Sequence, residues 1–154
     1  VSPVNHLIPA LKFGGALQHA RLLGNLMADA LIHRDEPLPD CIVPVPLHPS
    51  RQRSRGFNQA LELARPLGRR LHIPLDVRSC KRVRPTAAQS QLDAKQRRSN
   101  VAKAFSLVKK PRGGHVALLD DVVTTGHTVG ELAQVLRRGG VETVEVWSVA
   151  RASY

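Results

Sequence analysis

Cysteine is scarce in this chain of 154 residues, which has two, Cys41 and Cys80, with no C-x-x-C spacing. Neither a disulfide framework nor a zinc ribbon is therefore supported. Aromatic residues are scarcer than usual, with three Phe, one Trp and one Tyr, too few for an interleaved stacking surface. No apolar run reaches the ~18 residues that a membrane-spanning helix needs, so no membrane insertion is expected. The opening, Val1-Ser2-Pro3-Val4-Asn5, has neither the basic flank nor the apolar centre of a signal peptide, which makes the cytoplasm the default location. It also lacks an initiating methionine, so we expect a processed chain or a piece of a longer one. The length suits one domain over residues 1–154, with residues 1–36 as a helical segment packed on it.

Acidic residues are missing from the middle of the chain. The formal net charge is +11, and residues 41–112 hold 17 basic side chains against 3 acidic ones, whereas residues 1–40 hold 3 against 4 and residues 113–154 hold 3 against 5. The whole excess lies in one block. Such a block attracts polyanions, either a pyrophosphate group or a nucleic-acid backbone; a solvated cationic surface is the plainer alternative.

Periodicity supplies the elements. Leu7, Ile8, Leu11 and Phe13 suggest a short amphipathic helix, and Ala16 to Leu31 a longer one with Met27 in the core. His19 and His33 share no metal-ligand spacing and read as surface residues. Cys41 to Leu47 reads as a buried strand ended by Pro44 and Pro46. His48 to Gln59 then reads as a basic loop entering a helix that runs to about Leu71, with a kink expected at Pro66. Residues 73–84 read as a strand leading to a basic loop. The polar stretch from Pro85 to Leu92 suits a mobile lid, and Asp93 a helix cap before residues that run to Phe105. Val141 to Ala150 reads as a final strand.

The chemistry concentrates in residues 116–130. Val116 to Leu119 read as a buried parallel strand after the breaker Gly113-Gly114. Asp120 and Asp121 follow at its carboxyl end, where open α/β sheets place ligands, and adjacent carboxylates can accept hydrogen bonds from sugar hydroxyls. Thr124, Thr125, Gly126 and Thr128 then lead into a helix from Val129 to Arg138, offering amide and hydroxyl donors to a phosphate. A turn with a helix N-cap would use the same residues and bind nothing.

The string VALLDDVVTTGHT resembles the phosphoribosyl pyrophosphate (PRPP) signature of type I phosphoribosyltransferases. With PVPLHPSRQRSRGFNQA and RPTAAQSQLDAKQRRSNVAKAF before it, the chain resembles the ComF/GntX family, a bacterial branch of that fold associated with natural transformation. Leu11 to Gly15 also suit the family's approach to the domain. The resemblance implies a doubly wound, mostly parallel α/β sheet with a lid. It implies that Asp120 and Asp121 meet the ribose and magnesium as the catalytic pair. The loop Val122, Val123, Thr124, Thr125, Gly126, His127 and Thr128 would hold the 5'-phosphate. Arg51, Arg55, Lys81, Arg82 and Arg84 become candidates for pyrophosphate or a DNA backbone. A cysteine-rich zinc segment usual in the family is absent from this chain, cut off or never present.

Three readings remain open on the sequence. The first is an enzyme, a pentosyl (glycosyl) transferase moving phosphoribosyl to a nitrogen acceptor. The second is a single-stranded DNA-handling factor that works with transformation-machinery proteins and retains the PRPP fold. The third is a PRPP sensor. The surplus of cations at Arg97, Arg98, Lys103, Lys109, Lys110 and Arg112 exceeds what one PRPP can use and suggests a track for a longer polyanion. No residues could be assigned to recognising an acceptor base.

Overall fold

A computed structural model describes residues 17–84, Lys95 and residues 103–152. The expected short helix at Leu7 to Phe13 and the lid from Pro85 to Leu92 lie outside the described residues, as do Arg97 and Arg98. Among the described residues nine elements follow in order: α1 (Leu17–Leu31), β1 (Cys41–Pro44), α2 (Pro49–Arg55), α3 (Gln59–Leu71), β2 (Cys80–Arg82), β3 (Phe105–Leu107), β4 (His115–Val123), α4 (His127–Arg138) and β5 (Thr143–Arg151).

The sheet is parallel, in the order β1-β4-β5, with Cys41 opposite Val116 and His115 opposite Thr143. β4 is buried on both faces through Val116 to Leu119, as expected for the middle strand of an α/β sheet. Successive residues alternate between two cores. Ile42, Ala117 and Leu119 pack with Leu23 of α1 and with Leu63 and Leu67 of α3. Val43, Val116 and Leu118 pack on the other face with Leu132 and Leu136 of α4 and with Phe105. Helices on both faces make this the expected doubly wound α/β architecture. Met27 packs against the first core, and His19 is half-buried rather than a free surface residue.

Two prolines end β1 without breaking the sheet. The amides of alternate residues face opposite neighbours: Val45 donates to Leu119 of β4 at 2.9 Å, while Ile42 donates outward to Pro74 at 3.0 Å. Pro44 shares the outward phase of Ile42, so its missing N–H is lost from the outer side and the β4 ladder is spared. On that outer side the expected strand over residues 73–84 is reduced to a single bridge between Leu75 and Ile42, followed by β2.

Two local expectations are corrected. The basic stretch after β1 contains a helix, α2, rather than one long loop. His48 caps it through its ring nitrogen, Pro49 occupies its first turn, and Gly56 ends it in the left-handed conformation at φ 79°. Phe105, expected at the end of a helix, starts β3, which pairs antiparallel with β2 through Arg82 and Phe105. That pairing joins residues more than twenty apart, which local periodicity does not reveal.

At the amino end of the sheet, Asp40 accepts hydrogen bonds from the amides of Gly114 (3.0 Å) and His115 (2.9 Å), fixing the turn into β4. Nearby, Glu145 binds Arg34 at 2.9 Å, His115 at 2.8 Å and the Trp147 indole at 3.1 Å, tying the segment after α1 to β5.

Candidate PRPP site

β4 outruns its neighbour. β1 ends opposite Leu119, and the chain then turns away through Pro46 and His48, whereas β4 continues to Val123, paired among the described residues with β5 alone. From β1 the chain winds outward to Leu75, and from β4 it winds through α4 to β5 on the other side. The reversal leaves a crevice between the carboxyl ends of β1 and β4, the place where open α/β sheets hold ligands.

Asp120 and Asp121 stand at this edge. Asp120 follows the alternation of Val116 and Leu118, and Asp121 that of Ala117 and Leu119. The two side chains nonetheless act on one another. Burial, then the charge of Asp121 and a hydrogen bond with it, push the Asp120 carboxyl up to about 7; the Asp121 amide and the charge of Arg82 act in the opposite direction. The Asp121 amide reaches Asp120 Oδ1 at 2.9 Å, and the Val122 amide reaches Asp121 Oδ1 at 2.8 Å. Asp121 is 8% exposed.

Beyond Val123 the chain bends through Thr124 and Thr125 to Gly126, which caps α4 from the left-handed region at φ 82° with no side-chain cap hydrogen bond. An uncapped helix start directs its first amides outward. A Cβ on Gly126 would meet no atom of the described residues within 4 Å, so the glycine is required by its φ. His127 and Thr128 form the first turn of α4.

The cationic side of the crevice comes from β2 and α2. Arg82 is 8% exposed, with its guanidinium 4.9 Å from the centre of the Phe105 ring. Burial lowers its pKa, while Asp120 raises it and Arg51 lowers it further, so the charges of both reach it. Strand alternation sends Lys81 to the opposite, exposed face. Arg84 is exposed beyond the end of β2, and Arg55 closes α2. The fold thus gathers Asp120, Asp121, the loop Val122 to Thr128, Arg51 and Arg82, and sets Lys81 apart.

The comparisons with known proteins agree with the fold. The sequence profile described as the phosphoribosyl transferase domain matches residues 57–153. The chain is 43% identical over 159 residues to Competence protein F of Haemophilus influenzae, covering 99% of this chain and 69% of that protein. It belongs to the phosphoribosyltransferase-domain family, on its ComF branch. A second relative of this ComF-family chain, DNA utilization protein YhgH of Shigella flexneri, is 42% identical over 153 residues, covering 97% of this chain and 67% of the relative. Among solved structures, the allosteric regulatory enzyme of purine biosynthesis aligns with a TM-score of 0.50 at 20% identity, over 84% of this chain and 25% of that one. That likeness shows the fold alone.

Sequence reasoning passed over Asn58 at the crevice. Its side chain caps α3 by accepting from the amides of Ala60 (3.0 Å) and Leu61 (3.4 Å), and it donates to the Val45 carbonyl at 3.1 Å, locking α3 to the end of β1. An Asn directly before a periodic apolar run is a readable N-cap signal. Among the described residues, three buried polar atoms near these strand and helix ends have no hydrogen-bond partner: Gln59 Nε2, Arg82 Nε and His127 Nδ1.

Proposed function

We propose that this ComF-family chain binds PRPP in the crevice between β1 and β4 and transfers its phosphoribosyl group to a nitrogen nucleophile. The supporting observation is the adjacent pair Asp120 and Asp121 set between an uncapped helix start and the buried guanidinium of Arg82. The amides from Thr124 to Thr128 suit the 5'-phosphate, a helix-terminus interaction of about 0.3 to 2 kcal/mol. The carboxylates of Asp120 and Asp121 accept from ribose hydroxyls. Arg51 and Arg82 face the pyrophosphate, with Arg55 and Arg84 close to those two arginines in sequence. Lys81 is left without a role.

Transfer breaks the bond from the anomeric carbon to pyrophosphate oxygen and forms one to nitrogen, whose proton passes to solvent. Positive charge on the ribose ring is offset by the two carboxylates, and the departing negative charge by the arginines. Two adjacent carboxylates also suit magnesium, an oxygen-seeking ion. Among the described residues no three His, Cys, Asp or Glu side chains gather, so such an ion would take most of its ligands from water and the substrate. Magnesium, when bound, supplies charge neutralisation for the pyrophosphate. Pyrophosphate release from PRPP, measured against a panel of nitrogenous acceptors, tests transfer. An absence of PRPP binding would remove the reading.

A second reading draws on a separate surface. Lys109, Lys110 and Arg112 are exposed just before the amino end of β4, opposite the crevice. Nine strand residues span about 30 Å, too far for one PRPP to serve both ends. Together with the names of the relatives, this supports contact with the backbone of single-stranded DNA alongside PRPP binding, as a handling factor in transformation. Anisotropy of a labelled oligonucleotide at two salt concentrations tests it; affinity indifferent to salt would count against it.

A further inference from the structure

Gln59 opens α3 and is 4% exposed, yet its Nε2 has no hydrogen-bond partner among the described residues. An unsatisfied buried amide is destabilising, so a position that keeps one invites the question of what it meets.

The fold indicates which way it faces. Gln59, Leu63, Leu67 and Leu71 recur at helical spacing along the buried side of α3, and the three leucines pack with Ala117 and Leu119 of β4. α3 leaves the carboxyl end of β1 and runs back along the sheet, so Gln59 lies one turn beyond Leu63 toward the crevice. On the strand, the residue one step beyond Leu119 on the same face is Asp121, itself 8% exposed. Asn58, tied to Val45, which is itself tied to Leu119, holds the start of α3 at that level. A donor without a partner among the described residues and a carboxylate therefore lie on the same, α3 side of the crevice, away from Arg82.

We propose that Gln59 and Asp121 form a subsite for a sugar hydroxyl, in which the hydroxyl donates to the Asp121 carboxylate and accepts from the Gln59 amide. A hydroxyl is the simple group that satisfies both at once, because it carries one donor and two acceptor lone pairs. A phosphate oxygen would suit Gln59 but would be repelled by Asp121. Gln59 is thus a specificity residue for the ribose, and this rests on the PRPP reading above.

The test compares ribose 5-phosphate with inorganic phosphate on the wild type and on Gln59→Met, which keeps the volume and removes the donor. The wild type should prefer ribose 5-phosphate. Gln59→Met should weaken ribose 5-phosphate binding about 3- to 10-fold, the range of a neutral hydrogen bond. It should leave inorganic phosphate binding unchanged and raise the melting temperature, since the unsatisfied amide is gone. A Gln59→Met variant that retains the full preference overturns the subsite while leaving the PRPP reading in place. A wild type with no preference for ribose 5-phosphate overturns both. A variant that melts lower and loses both ligands alike marks Gln59 as a packing residue and also overturns the subsite.

Discussion

Replacing Asp120 by Asn should stabilise the protein, and only when the solution is not acid. Burial, with the charge and hydrogen bond of Asp121, moves the Asp120 carboxyl from an ordinary 3.8 to about 7. Between those values the folded chain holds a proton that the unfolded chain releases. The contribution to stability is therefore fully present below about 3.8 and is lost as pH rises through about 7. Each pH unit across that window is worth about 1.4 kcal/mol, which puts the ceiling near 4 kcal/mol. Solvent screening and the coupling of Asp120 to its neighbour reduce the expected effect to about 1 to 3 kcal/mol. Asn keeps the shape of the neutral acid without its ionisation. Urea denaturation should give nearly equal stabilities at about pH 4 and a more stable Asn variant at about pH 8, by that 1 to 3 kcal/mol. The same variant should lose at least about tenfold in PRPP affinity, since a hydrogen bond to a charged group is worth about 1.5 to 3 kcal/mol. Equal destabilisation at both pH values, with PRPP binding intact, would refute the reasoning and return Asp120 to a turn residue.

Gly126→Val forces a β-branched residue into the left-handed region at φ 82°; it should cost about 1 to 3 kcal/mol of stability and abolish phosphate binding at the start of α4, read by calorimetry. Gly113→Ala should cost about 3 kcal/mol in a urea melt, because its Cβ would collide with the Asp40 carboxylate that holds the turn and its φ is 76°. Changing Lys109 and Lys110 to Ser should weaken oligonucleotide binding and, if both contact phosphates, flatten the log-log salt slope by about 1.4, at −0.7 per phosphate contact on a single strand, while PRPP binding stays unchanged. Glu145 has opposing influences: burial, the largest, raises its pKa, but the hydrogen bonds from Arg34 and Trp147 with the charges of Arg34 and His115 leave it below the usual 4.5. Its contribution is present above about 4.5 and lost in stronger acid, a loss that Glu145→Gln should remove from the acid side of a stability-pH curve.

The central strand, the helix after it and the carboxylates between them were legible because their signals are local. Four apolar residues, two acids and a Thr-Thr-Gly turn lie in one unbroken string from Val116 to Gly126. What was missed depended on partners distant in sequence. Phe105 to Leu107 is a strand only because Cys80 to Arg82 lies beside it. The segregation of Lys81 from Arg82 needed the phase of that same strand. α2 was an error of emphasis, since His48, Pro49 and Gly56 are all visible helix signals, outweighed by the density of arginine around them. Gln59 showed in the sequence only by its four-residue phase with Leu63 and Leu67, and its burial comes from the packing of α3 on β4.

The ladder also implies an order of assembly. β4 pairs with β5 through His115 and Thr143, 28 residues apart, but with β1 through Cys41 and Val116, 75 residues apart. Loop-closure entropy grows with that separation, so the β4-α4-β5 unit, which carries the carboxylates and the Thr-Thr-Gly turn, is the part that can form early. β1 and the arginines of α2 join from a distance. On the ribosome the problem is sharper, because β1 is made first and must wait. The core that covers Val43 is drawn, apart from its own strand segment, from Cys80 onward. Until that chain emerges, an apolar strand stands uncovered on one flank, a natural client for a chaperone.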